Sequence, residues 1–130
     1  MKETLVKTID LENNRKLTIY DVSRKVGADT WLVTMIARVE ILINELLFNK
    51  EDRSSIDLDK IRKALGEKVC FEVKIDRNFI NEAKKDKVFN GLCDVFLANT
   101  LSYLSHPDFP KKFVLKKFKE SGPPAVQGMK

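Results

Sequence analysis

Apolar and polar residues alternate through most of the first half of the chain. The longest run extends from Trp31 to Ile43, where every second residue is apolar. A period of two held over this length indicates a strand with one buried face. Shorter runs of the same kind predict three further strands, at residues 4–11, 17–26 and 68–76.

Turn residues separate the first three strands. Asn13 and Asn14 lie in the first connection, and Gly27 opens the second, so an antiparallel meander is expected. We expect a β-bulge near Tyr20 or Asp21, because only a change of phase there brings Val22 and Val26 to the apolar face. The strand pairing that the alternation favours is Ile9 opposite Ile19, Lys7 opposite Asp21, Leu17 opposite Val39 and Ile19 opposite Ala37.

The remaining segments have helical signals. Ser55 or Asp57 can cap a short helix that ends at Gly66, and Asp86 can cap a long helix that runs to about Ser105. A third, amphipathic helix follows Pro107. The order β-β-β-α-β-α-α predicts an α+β fold, with an antiparallel sheet of about four strands packed against the long central helix and the C-terminal helix. We expect one domain over residues 1–121 and a disordered tail over 122–130.

Composition narrows the class of protein. The 130 residues are 43% hydrophobic and 33% charged, which suits a soluble domain with a packed core. No stretch has the roughly 18 apolar residues of a membrane span, and the N-terminus lacks the pattern of a secretory signal. The distant Cys70 and Cys93 fit a reducing compartment, so a cytoplasmic protein without membrane attachment is expected.

The net charge of +5 is concentrated near the C-terminus. Residues 1–107 hold 18 Lys and Arg against 17 Asp and Glu, whereas residues 108–130 hold six lysines against two acids. Most of these lysines alternate with phenylalanines in the last predicted helix, a pattern that favours contact with phosphates. The candidate residues for binding nucleic acid are Lys111, Lys112, Lys116, Lys117 and Lys119.

Candidate catalytic residues lack the partners that catalysis needs. His106 is the only histidine and lies at a predicted helix end, and Asp94 fits a solvated stripe of the long helix. No phosphate-binding glycine loop and no metal-ligand spacing is present, so we expect neither a cofactor nor a metal. One further candidate is a polar surface on the outer face of the sheet, formed by Tyr20, Arg38 and Glu40.

These patterns favour a non-enzymatic protein that binds another macromolecule. The long apolar strand and the apolar helix exceed what a four-stranded monomer buries, so we expect a homodimer that binds a still unidentified protein. The alternative is nucleic-acid binding through the lysine-rich helix. A third hypothesis is a small enzyme that uses Asp94 or His106.

Overall fold

The computed structural model describes residues 3–48 and 56–121 and confirms the α+β fold, with a five-stranded antiparallel sheet and three helices. The tail at 122–130 and the cap candidate Ser55 lie outside the described residues. The strands are β1 (Thr4–Asp10), β2 (Lys16–Asp21), β3 (Arg24–Lys25), β4 (Thr30–Leu42) and β5 (Lys68–Asn81). The helices are α1 (Leu58–Leu65), α2 (Lys85–Ser105) and α3 (Phe109–Ser121), and short 3-10 turns cover Glu45–Leu47 and Glu82–Lys84.

Strand β4 lies in the middle of the sheet. It pairs with β2 and β3 along one edge and with β5 along the other, and β1 lies outside β2. The predicted pairing of β2 with β4 is confirmed, since Leu17 lies opposite Val39 and Ile19 opposite Ala37. The short β3 keeps the same register against β4, so no extra residue separates it from β2.

The pairing of β1 with β2 differs from the prediction. Ile9 lies opposite Leu17, and Lys7 lies opposite Ile19 instead of Asp21. The bulge lies in β1, between Leu5 and Lys7, and not near Tyr20 or Asp21 as expected. The alternation in β1 is interrupted by Lys7, so side-chain pattern alone did not fix its register.

Strand β5 is longer than its sequence pattern indicates. It continues to Asn81, whereas the predicted strand ends at Asp76. Phe79 is part of this strand and has a positive φ of 55°. A left-handed residue inside a strand is typical of a bulge, where one residue leaves the regular pairing.

The helix ends follow capping rules at α1 and depart from them at α2. The Asp57 side chain accepts a hydrogen bond from the Lys60 N–H, and Gly66 closes α1 with a φ of 89°. The predicted cap at Asp86 is wrong, because α2 begins at Lys85 directly after a 3-10 turn. Asn81 caps that turn instead, with its side chain accepting from the Ala83 N–H at 2.9 Å.

The chain divides into two compact units. The expectation of a single domain over residues 1–121 stays a prediction. Within the described part of the chain, unit 1 comprises residues 3–39 and 72–106. Its core combines buried residues of β2 and β4 with one face of α2. The Asn13 side chain donates to the Leu104 carbonyl at 2.8 Å, which ties the end of α2 to the turn between β1 and β2. The core residues of α2 are Phe89, Leu92, Cys93, Phe96 and Leu104.

Among the described residues, unit 2 comprises 40–48, 56–71 and 107–121. Helices α1 and α3 pack together in this unit, and Ile61, Phe109 and Val114 are buried. The Phe71 ring meets Phe109 and Phe113 edge-on, with centroids 5.5 and 5.6 Å apart. Phe109 is therefore a buried apolar anchor of α3.

Candidate functional site

Arg38 organises a polar cluster on the outer face of the sheet in unit 1. Its Nη1 and Nη2 groups donate to the two carboxylate oxygens of Glu3 at 2.8 and 2.6 Å, and its Nε donates to Glu72 at 2.6 Å. The guanidinium also lies 4.9 Å from the centre of the Tyr20 ring. These four residues, Glu3, Tyr20, Arg38 and Glu72, are here called the Arg38 cluster.

The Arg38 cluster satisfies its own charges. The hydrogen bonds from Arg38 lower the pKa of Glu3, and the hydrogen bonds to Glu3 and Glu72 raise the pKa of Arg38. The predicted surface of Tyr20, Arg38 and Glu40 is thus brought together in part. Glu40 instead forms an ion pair with Lys68 at 3.5 Å. Because two carboxylates already accept hydrogen bonds from Arg38, its guanidinium has few N–H donors left for a ligand. The cluster therefore stabilises the outer face of the sheet.

The five candidate lysines of α3 do not share one face. Lys112, Lys116 and Lys119 are exposed at the spacing i, i+4, i+7 and form one stripe, here called the lysine stripe. Lys117 lies elsewhere on the helix, 3.9 Å from Glu120 and 5.5 Å from the centre of the Phe113 ring. Lys111 is half-buried.

The lysine stripe is the part of α3 that is open to an anion. Within residues 3–48 and 56–121, none of its three ammonium groups forms an ion pair with a carboxylate. By the helical rise, the stripe covers about 10 Å along the axis. Three charges over that length can follow a phosphate backbone without a groove-reading element.

The candidate acid–base residues lie on the surface. Asp94 is exposed on α2, as the predicted solvated stripe requires, and His106 is exposed at the end of that helix. The His106 carbonyl accepts a hydrogen bond from the Asn13 side chain at 3.0 Å, so this residue belongs to the helix end. Cys70 is exposed and Cys93 is buried, and both carry thiols. Burial raises the pKa of the Cys93 thiol, which makes it a poor nucleophile.

A second cluster surrounds Trp31, the only tryptophan. Its Nε1–H donates to Glu82 at 3.0 Å, and Lys85 lies 4.7 Å from the ring centre. Lys25 completes the group at 3.5 Å from the same Glu82 oxygen. The bond from Trp31 and the charge of Lys25 lower the pKa of Glu82. These four residues are here called the Trp31 cluster.

Phe79 is the most unusual residue near the Trp31 cluster, three positions before Glu82. Its side chain is 85% exposed, and its backbone is left-handed. Aromatic side chains are normally buried, and a left-handed conformation is rare for bulky residues. Both features raise the free energy of the folded chain when no partner covers Phe79.

Sequence reasoning missed the Trp31 cluster and Phe79. Trp31 and Glu82 are 51 residues apart, and nothing in their local patterns indicates that they meet. Phe79 follows Arg77 and Asn78, which interrupt the alternation of β5. That interruption was the available signal, but it fits the end of a strand as well as a bulge.

The described residues contain neither a metal-binding cluster nor a membrane-spanning helix. In residues 3–48 and 56–121, no group of three or more His, Cys, Asp or Glu side chains is arranged to hold a metal ion. Over the same ranges, no helix combines the length and the apolar composition that crossing a membrane requires. No protein family, curated protein or solved structure was found to match this chain.

Proposed function

We propose that this chain is a non-enzymatic protein-interaction module that presents Phe79 to a protein partner. The observation that carries the proposal is the exposure of an aromatic side chain held in a left-handed backbone conformation. Unfavourable backbone conformations that persist in a fold concentrate at functional positions. Large aromatic residues are also the commonest anchors of protein interfaces.

Burial of Phe79 by a partner supplies the driving force. Complete burial of a phenylalanine side chain contributes about 1.5–3 kcal/mol relative to its exposed state. The ring is nearly fully exposed in this chain, so most of that gain is available to a complex.

The Trp31 cluster gives the anchor a rigid base. The Glu82 N–H donates to the Asp29 carbonyl at 2.8 Å, and the Glu82 side chain is held by Trp31 and Lys25. These bonds tie the segment after Phe79 to β4 and to the turn before it. A rigid anchor loses less conformational entropy on binding, which favours affinity.

Self-association is part of the proposal. Helix α2 exposes Val95 and Tyr103, at 61% and 59% of their full areas, as expected for a helix that is apolar around most of its circumference. Exposed apolar side chains of this size favour association. We therefore propose a homodimer, and a cytoplasmic location in which both thiols stay reduced.

Photocrosslinking tests the role of Phe79. A photoreactive benzoyl-phenylalanine replaces Phe79 in one sample and Leu46 in a matched control, since Leu46 is 89% exposed in unit 2. After irradiation in a lysate of the source cells, we expect a discrete protein adduct from position 79 alone. Excess unlabelled protein should compete for the adduct, whereas the Phe79→Gly variant should not. Equal adducts at both positions, or equal competition by the variant, would contradict the proposal.

A second candidate function is nucleic-acid binding by the lysine stripe. The favouring observation is that Lys112, Lys116 and Lys119 share an exposed face without carboxylate partners among the described residues. Three phosphate contacts predict that the logarithm of the binding constant falls with the logarithm of salt at a slope of about −2 to −3.

Fluorescence anisotropy against short mixed-sequence RNA and DNA tests this second function. Replacing all three stripe lysines by Gln should abolish binding and its salt dependence. The control is Lys117→Gln, because that lysine lies off the stripe beside Glu120. Equal loss in the control would assign any binding to net charge alone. Absence of binding at low salt would leave the stripe as a solvated surface.

A further inference from the structure

The two outer strands of the sheet differ in how their edges are protected. Strand β1 contains a bulge between Leu5 and Lys7 and places the Lys7 charge opposite Ile19, a buried core residue. Bulges and charges directed toward the core are two features by which natural edge strands prevent pairing with another chain. The edge of β1 is therefore a poor template for a further strand.

The edge of β5 lacks both features over most of its length. Exposed and half-buried residues alternate without interruption from Lys68 to Ile75, and the half-buried positions are apolar. Among the described strands, β5 pairs only with β4. A strand of 14 residues with one unpaired edge offers a row of N–H and C=O groups to another strand.

We propose that this edge pairs antiparallel with β5 of a second copy of the chain, around a two-fold axis at Val73. The proposal rests on the homodimer of the proposed function, and it places the interface at β5 and not at the exposed Val95 and Tyr103 of α2. A two-fold axis brings identical surfaces together, so the strand must be complementary to itself.

Charge complementarity selects the register. With the axis at Val73, Glu72 of each copy lies opposite Lys74 of the other, which gives two favourable cross-strand pairs. An axis at Glu72 or at Lys74 places two identical charges opposite each other. Val73 then meets its own counterpart on the half-buried face, and each covers apolar surface of the other.

The left-handed Phe79 gives the second argument for this register. A ladder centred on Val73 runs from Lys68 to Asn78 and ends before Phe79. An axis at Ile75 also pairs opposite charges, Lys74 with Asp76, but it draws Phe79 into the ladder. A residue with positive φ breaks regular strand pairing, so the axis at Val73 is favoured.

Backbone geometry identifies the bonds that the second copy completes. The Ile43 N–H donates to the Glu67 carbonyl at 2.8 Å, so the odd-numbered residues at this end of the segment face β4. Successive residues of a strand direct their backbone groups to opposite edges. Continued along the unbroken alternation, this places the backbone groups of Glu72 and Lys74 at the open edge.

A charge-reversal experiment tests the interface and its register together. Lys74→Glu sets like charges opposite Glu72, and Glu72→Lys does the same for Lys74. Glu72→Lys also removes one carboxylate partner of Arg38, so recovery of the mixed dimer is the check that this variant folds. Each variant alone should dimerise roughly tenfold or more weakly than the unmodified chain. An equimolar mixture of the two variants should recover a heterodimer, because one chain then supplies both negative groups and the other both positive groups. Lys87→Glu, an equal charge change on α2, is the matched control.

Sedimentation equilibrium gives the masses, against 15.0 kDa for one chain. A dimeric unmodified chain and control, weakened single variants and a restored mixture support the proposal. A dimer that persists unchanged in Lys74→Glu would overturn this interface and leave the homodimer of the proposed function intact. A monomeric unmodified chain would overturn both. The role of Phe79 is tested separately by photocrosslinking and is unaffected by either result.

Amide hydrogen exchange provides an independent measurement on the unmodified chain. The Glu72 and Lys74 amides should become protected as concentration rises, whereas those of Val73 and Ile75 should be protected throughout by β4. In the Lys74→Glu variant, the amides of residues 72 and 74 should lose their concentration-dependent protection, whereas those of Val73 and Ile75 should stay protected. Rapid exchange at Glu72 and Lys74 in a sample that sediments as a dimer would contradict β5 pairing.

Discussion

Phe79 adopts a conformation that glycine tolerates better. A left-handed backbone costs a residue with a Cβ about 1–2 kcal/mol. Replacement by Gly removes that cost but destabilises the fold by about 0.5–1 kcal/mol, because glycine loses more backbone entropy on folding. The side chain is 85% exposed, so little packing is lost. We expect Phe79→Gly to raise the free energy of unfolding, as measured by urea denaturation.

The neighbouring Asn78→Gly variant is the control for Phe79→Gly. Asn78 is exposed in the same strand and has no positive φ, so Gly there brings only the entropic loss of about 0.5–1 kcal/mol. If both variants are destabilised equally, the left-handed conformation carries no strain. If Phe79→Gly is more stable than the unmodified chain and no longer binds its partner, the native Phe79 lowers the stability of the fold in exchange for binding.

Glu82 gives a second test at the scale of single residues. Its folded pKa lies below the usual glutamate value of about 4.3. The associated stabilisation is therefore present above that usual value and is lost as pH falls through the lowered pKa. Because the protein has one tryptophan, Trp31 emission should report this protonation at a pH below the usual glutamate range.

The fluorescence titration has two matched variants. Glu82→Gln should remove the change in Trp31 emission over the acidic range, because no charge is left to titrate. Glu12→Gln should retain the change, because Glu12 lies away from the Trp31 cluster. Its neighbour Asn13 donates to Leu104 near the C-terminal end of α2, whereas the Trp31 cluster includes Lys85 at the N-terminal end. A transition that survives in Glu82→Gln would assign the emission change to another group.

At the scale of elements, two glycines in helical segments should respond in opposite directions to alanine. Gly66 ends α1 at φ 89° and ψ −161°, a region that is nearly exclusive to glycine. Gly66→Ala should cost about 1–3 kcal/mol although open space surrounds the new methyl group. Gly91 lies within α2 with open space around it, so Gly91→Ala should gain about 0.5–1 kcal/mol. Thermal unfolding of the two variants measures both effects, and a shared sign would contradict the assignment of the Gly66 cost to its backbone.

The elements that sequence predicted well are those whose pattern is long or capped. The alternation from Trp31 to Ile43 located β4 and fixed its pairing with β2, because a slip of one residue would expose its apolar face. Asp57 and Gly66 marked the ends of α1 through backbone chemistry that is local to each position. Such capping residues can be recognised from the sequence alone, because their effect does not depend on the rest of the fold.

The elements that sequence misplaced depend on backbone irregularity or on distant partners. The bulge beside Lys7 changed the register of β1, and β5 continues past its alternating segment through the left-handed Phe79. Tyr20 and Arg38 were grouped correctly because neighbouring strands fix their distance. The contribution of Glu3 to that cluster comes from the far side of β2 and could not be derived without the register of β1.

At the scale of the whole molecule, association and stability are linked. A homodimer that unfolds to separate chains gains stability with concentration, by about 1.4 kcal/mol for each tenfold increase. Its urea midpoint should therefore rise by a few tenths of a molar when the protein is concentrated tenfold. The midpoint of Lys74→Glu should move less, because more of its chains unfold as monomers. A fixed midpoint in the unmodified chain would contradict the homodimer, and an equal shift in both proteins would place its interface away from β5.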